Sequence, residues 1–275
     1  MSQVGATRQT GTNLLQDVQA AVERDAAADG IGKRWAWTGF WFPAVGLLAL
    51  GLVFVVHRSW FYLLQQEDQP VEWTQFGLCL FSSLVLGPAA VRLWLRGHRG
   101  QAAVLALTAL GSLVLAGEEI SWGQRVIGLS TPEELAEINH QAEMNVHNIN
   151  VGVPSEALFK LFAFGMGAAG AAAAWFTRRP LGALHRTRWW LIAPPLLAVP
   201  GFLGMALYRM TILVLPLHPV VRAQEWVEVG LYGSLAVTAA CCYVRAAPGR
   251  YHLDLTDAAE PVRRPDPKAS VKSGA

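Results

Sequence analysis

Charge is scarce in this chain. Only 15% of its 275 residues are charged, against about 25% in an ordinary soluble domain. The net charge of +2 is too small to point to nucleic acid as a partner. Cysteine is scarce too. Cys79, Cys241 and Cys242 all lie in apolar segments, where they read as small packing residues rather than a disulfide framework or a zinc knuckle. A secretory signal is missing: residues 1–34 are polar and mixed in charge, without a basic start, a short apolar core or a small-residue cleavage site. The first apolar run is therefore expected to be a permanent span. No internal repeat is visible, which counts against a carrier built from inverted halves.

What the chain has in quantity is apolar length. Its hydrophobic fraction is 53%, with 11 tryptophans and 26 glycines. A spanning helix needs roughly 20 mostly apolar residues. Six stretches meet or approach that: 36–57, 73–95, 101–121, 155–176, 188–208 and 224–245. The expected fold is an all-α, polytopic transmembrane helical bundle of about six spans. It divides into a polar N-terminal segment (1–34), a six-span domain (35–247) with a long outer loop at about 122–154, and a polar, proline-bearing tail (248–275) that reads as disordered. The third stretch is purely apolar only from Ala102 to Ala116, so its helix is expected to continue through Gly117 and Glu118 toward Trp122. In the fifth, "APPLLAVPG" should bend or break the helix.

The basic residues orient the bundle. Lys33 and Arg34 precede the first span, and Arg92, Arg96 and Arg99 lie between the second and third. Arg178, Arg179, Arg186 and Arg188 lie between the fourth and fifth, and Arg245 and Arg250 follow the sixth. Six spans put all four clusters on one side. By the positive-inside tendency that side is the cytoplasm, with both termini there. The alanine- and arginine-rich style suits a bacterial inner membrane, with the opposite, acidic face toward the periplasm.

Four polar groupings mark that outer face. Glu67, Asp68 and Glu72 stand before the second span, with Trp73 as an interface anchor. Three carboxylates this close suit a hard cation such as calcium, and equally suit a solvated acidic loop. Glu118 and Glu119 end the third span, where a carboxylate costs at least roughly 2.5 kcal/mol and seeks a partner in the bundle. Arg125 is two helical turns beyond Glu118. It cannot readily serve both glutamates, because successive helical residues point about 100° apart. Next, "TPEELAEINHQAEMNVHNINVG" (131–152) opens with a helix start: Thr131 as cap, Pro132 in the first turn, then Glu133 and Glu134. Continued helically, it places Asn139, Glu143 and His147 at four-residue spacing. Glu143 and His147 would share a face and give two metal ligands, with Glu118 or Glu119 and water completing the set. His147 bonded to a neighbour's backbone is the structural alternative, and His140 falls on another face. Lastly, Arg222, Gln224, Glu225 and Glu228 open the sixth span. Arg222 can pair with Glu225. Glu228 falls inside the apolar layer, where an ion pair with Arg209 is the structural alternative to a functional role.

The segments Glu-Asp-x-x-x-Glu-Trp (67–73), Gly-Glu-Glu-Ile-Ser-Trp-Gly-Gln-Arg (117–125) and Asn-x-x-x-Glu-x-Asn-x-His-Asn (139–148) resemble those of a group of uncharacterised bacterial multi-span membrane proteins. The likeness covers roughly residues 60–230 and implies the fold and the site residues, not an activity. There is a looser similarity to ceramidase-like membrane hydrolases, which also place an acidic cluster before an early span and bury a metal in a helical bundle. This chain lacks a His-x-x-x-His near its C-terminal end: His185 and His218 are isolated, and His252 lies in the tail. That rules out a three-histidine zinc site and leaves a carboxylate-rich one.

Three functions follow as expectations. The first is a hydrolase or transferase acting on a lipid or lipid-linked substrate. A divalent metal (zinc, manganese, iron or calcium) would be held by Glu143, His147 and Glu119. Glu118, Glu119, Arg125 and Glu228 would supply acid–base and electrostatic catalysis. Trp122, Gln124, Asn139, Asn145, Asn148, Arg222 and Glu225 would contact substrate. The second is an ion- or proton-coupled transporter using Glu118, Glu119 and Glu228. The third is an assembly subunit that docks a partner on its acidic loop. Membrane lipids are the expected neighbours in every case.

Overall fold

The computed structural model describes residues 14–64, 66, 69–139, 144–145, 149, 155–178 and 188–248. Among them the chain is helical, with one isolated antiparallel bridge, Asn139 to Ile149. In chain order, α1 (Leu14–Ala28) precedes α2 (Lys33–Val56), the short α3 (Arg58–Leu63), α4 (Pro70–Leu95) and α5 (Arg99–Glu119). Two short helices follow, α6 (Gln124–Ile127) and α7 (Glu133–Ile138), and then α8 (Ser155–Arg178), α9 (Val199–Val214), α10 (His218–Arg222) and α11 (Gln224–Arg245).

Six of these segments are long and apolar enough to cross a membrane: Lys33–Val56, Pro70–Leu95, Arg99–Glu119, Ala157–Thr177, Leu196–Val214 and His218–Arg245. The last is the axis of the bundle, with 72% of its most apolar stretch buried, whereas α2 buries 6% and stands at the edge. Helix α11 packs on α4 and α9, α4 packs on α5, and α8 packs on α9. Where α9 crosses α11, a side chain on Gly201 would run into the Gly230 carbonyl and the Ser234 hydroxyl. Small residues let the two backbones approach this closely.

Two expected boundaries move. Residues 188–208 do not form one helix. A 3₁₀ turn, Arg188–Ile192, is followed by Ala193-Pro194-Pro195 and a second turn, Leu196–Ala198, and only then does α9 begin. The prolines block helical hydrogen bonding, and the span shifts toward the C-terminus, ending at Val214. Freed backbone groups in this break are met by side chains. Arg245 Nη1 donates to Trp190 O at 3.0 Å and Ala193 O at 2.6 Å, and Leu196 N donates to Asp25 Oδ2 at 2.7 Å. The third span includes Gly117 and Glu118 but stops at Glu119, short of Trp122.

At the end of the bundle where α11 finishes, α1 packs Val22 and Ala26 against Ala36 and Leu197. It is tied down by a bidentate pair: Arg245 Nε to Asp29 Oδ1 at 2.7 Å and Nη2 to Oδ2 at 2.6 Å. Both ends of the described chain therefore lie at one end of the bundle. Arg92, Arg96 and Arg99 lie at that end too, where α4 stops and α5 starts.

Candidate functional site

The opposite end gathers the carboxyl groups. Helix α5 closes on Glu118 and Glu119, and the backbone then turns sharply. Ser121 and Trp122 adopt left-handed φ angles of 47° and 55°, a strained state for side-chain-bearing residues that marks functional or tightly held positions. The turn folds Trp122 back over its own helix. Its indole Nε1 donates to Glu118 Oε1 at 2.7 Å. Its ring lies so close to Gly117 that a side chain there would meet it at 2.8 Å. Glu118 is buried and engaged in holding this turn. The break at Ile120–Gly123 also overturns the helical register that put Arg125 above Glu118; the Arg125 side chain lies outside the described residues.

Glu119 faces into the bundle. Its Oε1 accepts from the Tyr232 hydroxyl at 3.3 Å. Cys79 on α4 lies within electrostatic range of both Glu119 and Glu228, as does Tyr232. Glu119 is in turn within range of Glu228, Glu225 and Glu72. Helices α4, α5 and α11 thus bring members of three groupings into one layer. Helix α9 adds Arg209, whose Nη2 bonds Glu228 Oε1 at 3.1 Å with the two side chains only 4% and 5% exposed. Gln224 closes a triangle, accepting from Arg209 Nη1 at 3.1 Å and donating to Glu228 Oε1 at 2.9 Å. Arg209 is thus the partner Glu228 takes. The Arg222–Glu225 pair does not form: Arg222 is exposed, and Glu225 Oε2 accepts from Gln75 Nε2 at 3.1 Å.

Gln75 was not among the expected site residues. It is fully buried on α4, its Nε2 also donating to Glu225 O at 2.7 Å, while its Oε1 has no hydrogen-bond partner among the described residues. A polar side chain near the start of an apolar span, three residues after Glu72, was the available signal. Tyr232, one turn beyond Glu228, was missed because a tyrosine in an apolar run reads as packing.

The described residues of the loop after α6 meet the turn. Gln124 Nε2 donates to Thr131 Oγ1 at 2.6 Å, and Gln124 Oε1 accepts from Met144 N at 2.6 Å. Thr131 therefore does not cap α7; Pro132 occupies that position, without a side-chain cap. Asn139 Nδ2 donates to Asn145 O at 2.9 Å and Oδ1 at 3.0 Å, and Asn145 Nδ2 reaches Ser121 Oγ at 3.5 Å. Both asparagines are buried. Gln124, Asn139 and Asn145, expected to contact substrate, bind the loop to the strained turn.

The helix expected to run unbroken from α7 through Asn139 is interrupted. Helix α7 ends at Ile138, Asn139 is extended, and Asn139 forms an antiparallel bridge with Ile149. Polar asparagine side chains compete with helix continuation here. Glu143, His147, Asn148, Glu67 and Asp68 themselves lie outside the described residues. Among the described residues no group of three His, Cys, Asp or Glu side chains is placed to hold a metal ion. The expected metal centre is therefore without support from them, Glu119 included.

Beside this layer runs an apolar groove of about 610 Å³ between α2, α9 and α11, reached by Tyr208, Trp226 and Val227. Comparison of the chain with protein-family models, curated proteins and solved structures returned no match.

Proposed function

We propose that this multi-pass membrane protein binds and releases a proton or a monovalent cation at Glu119, as the coupling step of an ion-dependent carrier. The observation that supports it is the setting of Glu119. It is a carboxyl at the end of a span, turned inward, with a tyrosine hydroxyl as hydrogen-bond donor and no cation beside it among the described residues. The nearby arginine is committed to Glu228, and the buried Gln75 Oε1 adds an acceptor with no donor. Intramembrane carboxyls of this kind are proton and ion sites in pumps and transporters. The basic residues at the far end of the bundle support a reading in which that end faces the cytoplasm and the carboxyl layer faces the periplasm of a bacterial inner membrane.

The test is flux in reconstituted vesicles. Under an imposed pH gradient or sodium gradient, vesicles containing the protein should take up the ion faster than empty ones. Glu119→Gln, which keeps the size and the Tyr232 contact, should abolish the difference. Wild-type vesicles indistinguishable from empty ones under both gradients would sink the reading.

A second reading, an acid–base hydrolase or transferase on a lipid or lipid-linked molecule, is favoured by the apolar groove beside the layer. Glu119-dependent turnover of an added lipid, without ion flux, would select it.

A further inference from the structure

The groove has a charged rim. Its walls come from α2, α9 and α11, and one end is bordered by α3 and α10, through Phe61, Pro219 and Val220. The two short helices are joined there by a hydrogen bond of 3.4 Å between the Tyr62 hydroxyl and His218 Nδ1. Each carries an exposed arginine. The Arg58 guanidinium stands 5.3 Å from the centroid of Phe54, a wall residue. Arg222 lies between Val220 and Ala223, both wall residues. Neither arginine is ion-paired among the described residues. Elsewhere this end of the bundle is acidic. Among the described residues, two exposed cations without an ion-pair partner thus stand beside the end of an apolar, membrane-depth groove.

We propose that the groove holds one hydrocarbon chain of an anionic, phosphate-bearing lipid, with Arg58 and Arg222 meeting the phosphate. The volume of about 610 Å³ falls within the usual range of ligand sites, roughly 300–1,000 Å³. The lining is almost wholly apolar, which suits a hydrocarbon chain and excludes a soluble polar ligand. Guanidinium groups match phosphate oxygens geometrically as well as in charge. The site does not depend on ion coupling at Glu119, so either idea can fail alone.

Native mass spectrometry of the detergent-purified protein tests it, with added phosphatidylglycerol or phosphatidylcholine. The wild type should retain phosphatidylglycerol roughly tenfold better, as attraction to two basic side chains implies. Inorganic phosphate should not displace it. Arg58→Gln with Arg222→Gln should bring the two lipids to parity. Gly204→Leu should reduce retention of both, because Gly204 lines the groove and has open space around its missing side chain. That change adds helix propensity, and an unchanged Tm would show the fold intact. Equal retention of both lipids by the wild type, or undiminished retention by a folded Gly204→Leu protein, overturns the proposal. Displacement by inorganic phosphate would also overturn it, since the groove would then contribute nothing.

Discussion

Glu228 and Arg209 face each other across the α9–α11 interface, 3.1 Å apart and almost fully enclosed. Neither is satisfied by that bond alone, because Gln224 bridges them and Arg209 Nε has no partner among the described residues. A buried pair of this kind contributes little net stability while both members are present, but removing one leaves an unpaired charge. Arg209→Ala should therefore lower stability by about 3–5 kcal/mol. The double replacement Arg209→Met with Glu228→Met should recover most of the loss. Chemical unfolding of the single and double variants in detergent measures both. A single variant within about 1 kcal/mol of the wild type, against that expectation, would mean that water reaches the pair.

Glu118 and Glu119 are adjacent but do different work, and substitution should separate them. The bond from Trp122 to Glu118 is a hydrogen bond to a charged group, worth roughly 1.5–3 kcal/mol. Trp122→Phe should cost about that much in the wild-type background and far less when Glu118 is already alanine. Thermal unfolding of the four proteins in this cycle gives the coupling. Equal costs in both backgrounds would show that Trp122 acts through packing on Gly117 alone.

The contrast between these glutamates shows where reading from residues stops. The six spans, the break at the prolines and the gathering of basic residues at one end follow from apolar length and charge placement, and the structure bears out the helices and the break. The inward-facing Glu119 was visible because a carboxylate at a span end is costly. What Glu118 does was not visible, because it depends on two left-handed residues, Ser121 and Trp122, neither of which favours that conformation locally. The same turn removed Arg125 from the expected register. The Asn139 segment failed for a related reason. Its four-residue spacing presumed a helix, and Asn139 instead spends its side chain on Asn145. Gln75 and Tyr232 matter through tertiary proximity, which spacing within one helix does not reveal.

Glu23 carries a pH-dependent contact at the other end of the bundle. Hydrogen bonds from the Trp37 indole, Lys33 and Gln19, in that order, hold its carboxyl down from the ordinary 4.5 to about 2. Trp37 Nε1 donates to Glu23 Oε1 at 3.0 Å. A depressed pKa means the contact favours the folded state above the unfolded value. That contribution is lost as pH falls from about 4.5 toward 2. The Trp37 indole N–H resonance, assigned by its loss in Trp37→Phe, should shift across that window. In Glu23→Gln it should not. A resonance that is flat to pH 2 in the wild type would refute the contact.

Asp29 and Arg245 join the first described helix to the last, at 2.6 and 2.7 Å and with side chains 1% and 2% exposed. The same guanidinium satisfies the carbonyls of Trp190 and Ala193 and stacks on the Trp190 ring, 4.7 Å from its centroid. Arg245 thus completes the proline-broken segment before α9, and Asp29 balances its charge. Asp29→Ala leaves a buried cation and should cost about 3–5 kcal/mol. It should also free α1, exposing Arg24 and Lys33 to trypsin while the outer turn stays intact. Lysine at 245 keeps the charge but not the fork, so Arg245→Lys should restore only part of the protection. Limited proteolysis followed by mass measurement reads both effects. Unchanged cleavage at Arg24 and Lys33 in Asp29→Ala would show that the apolar contacts of Val22 and Ala26 hold α1 without the pair.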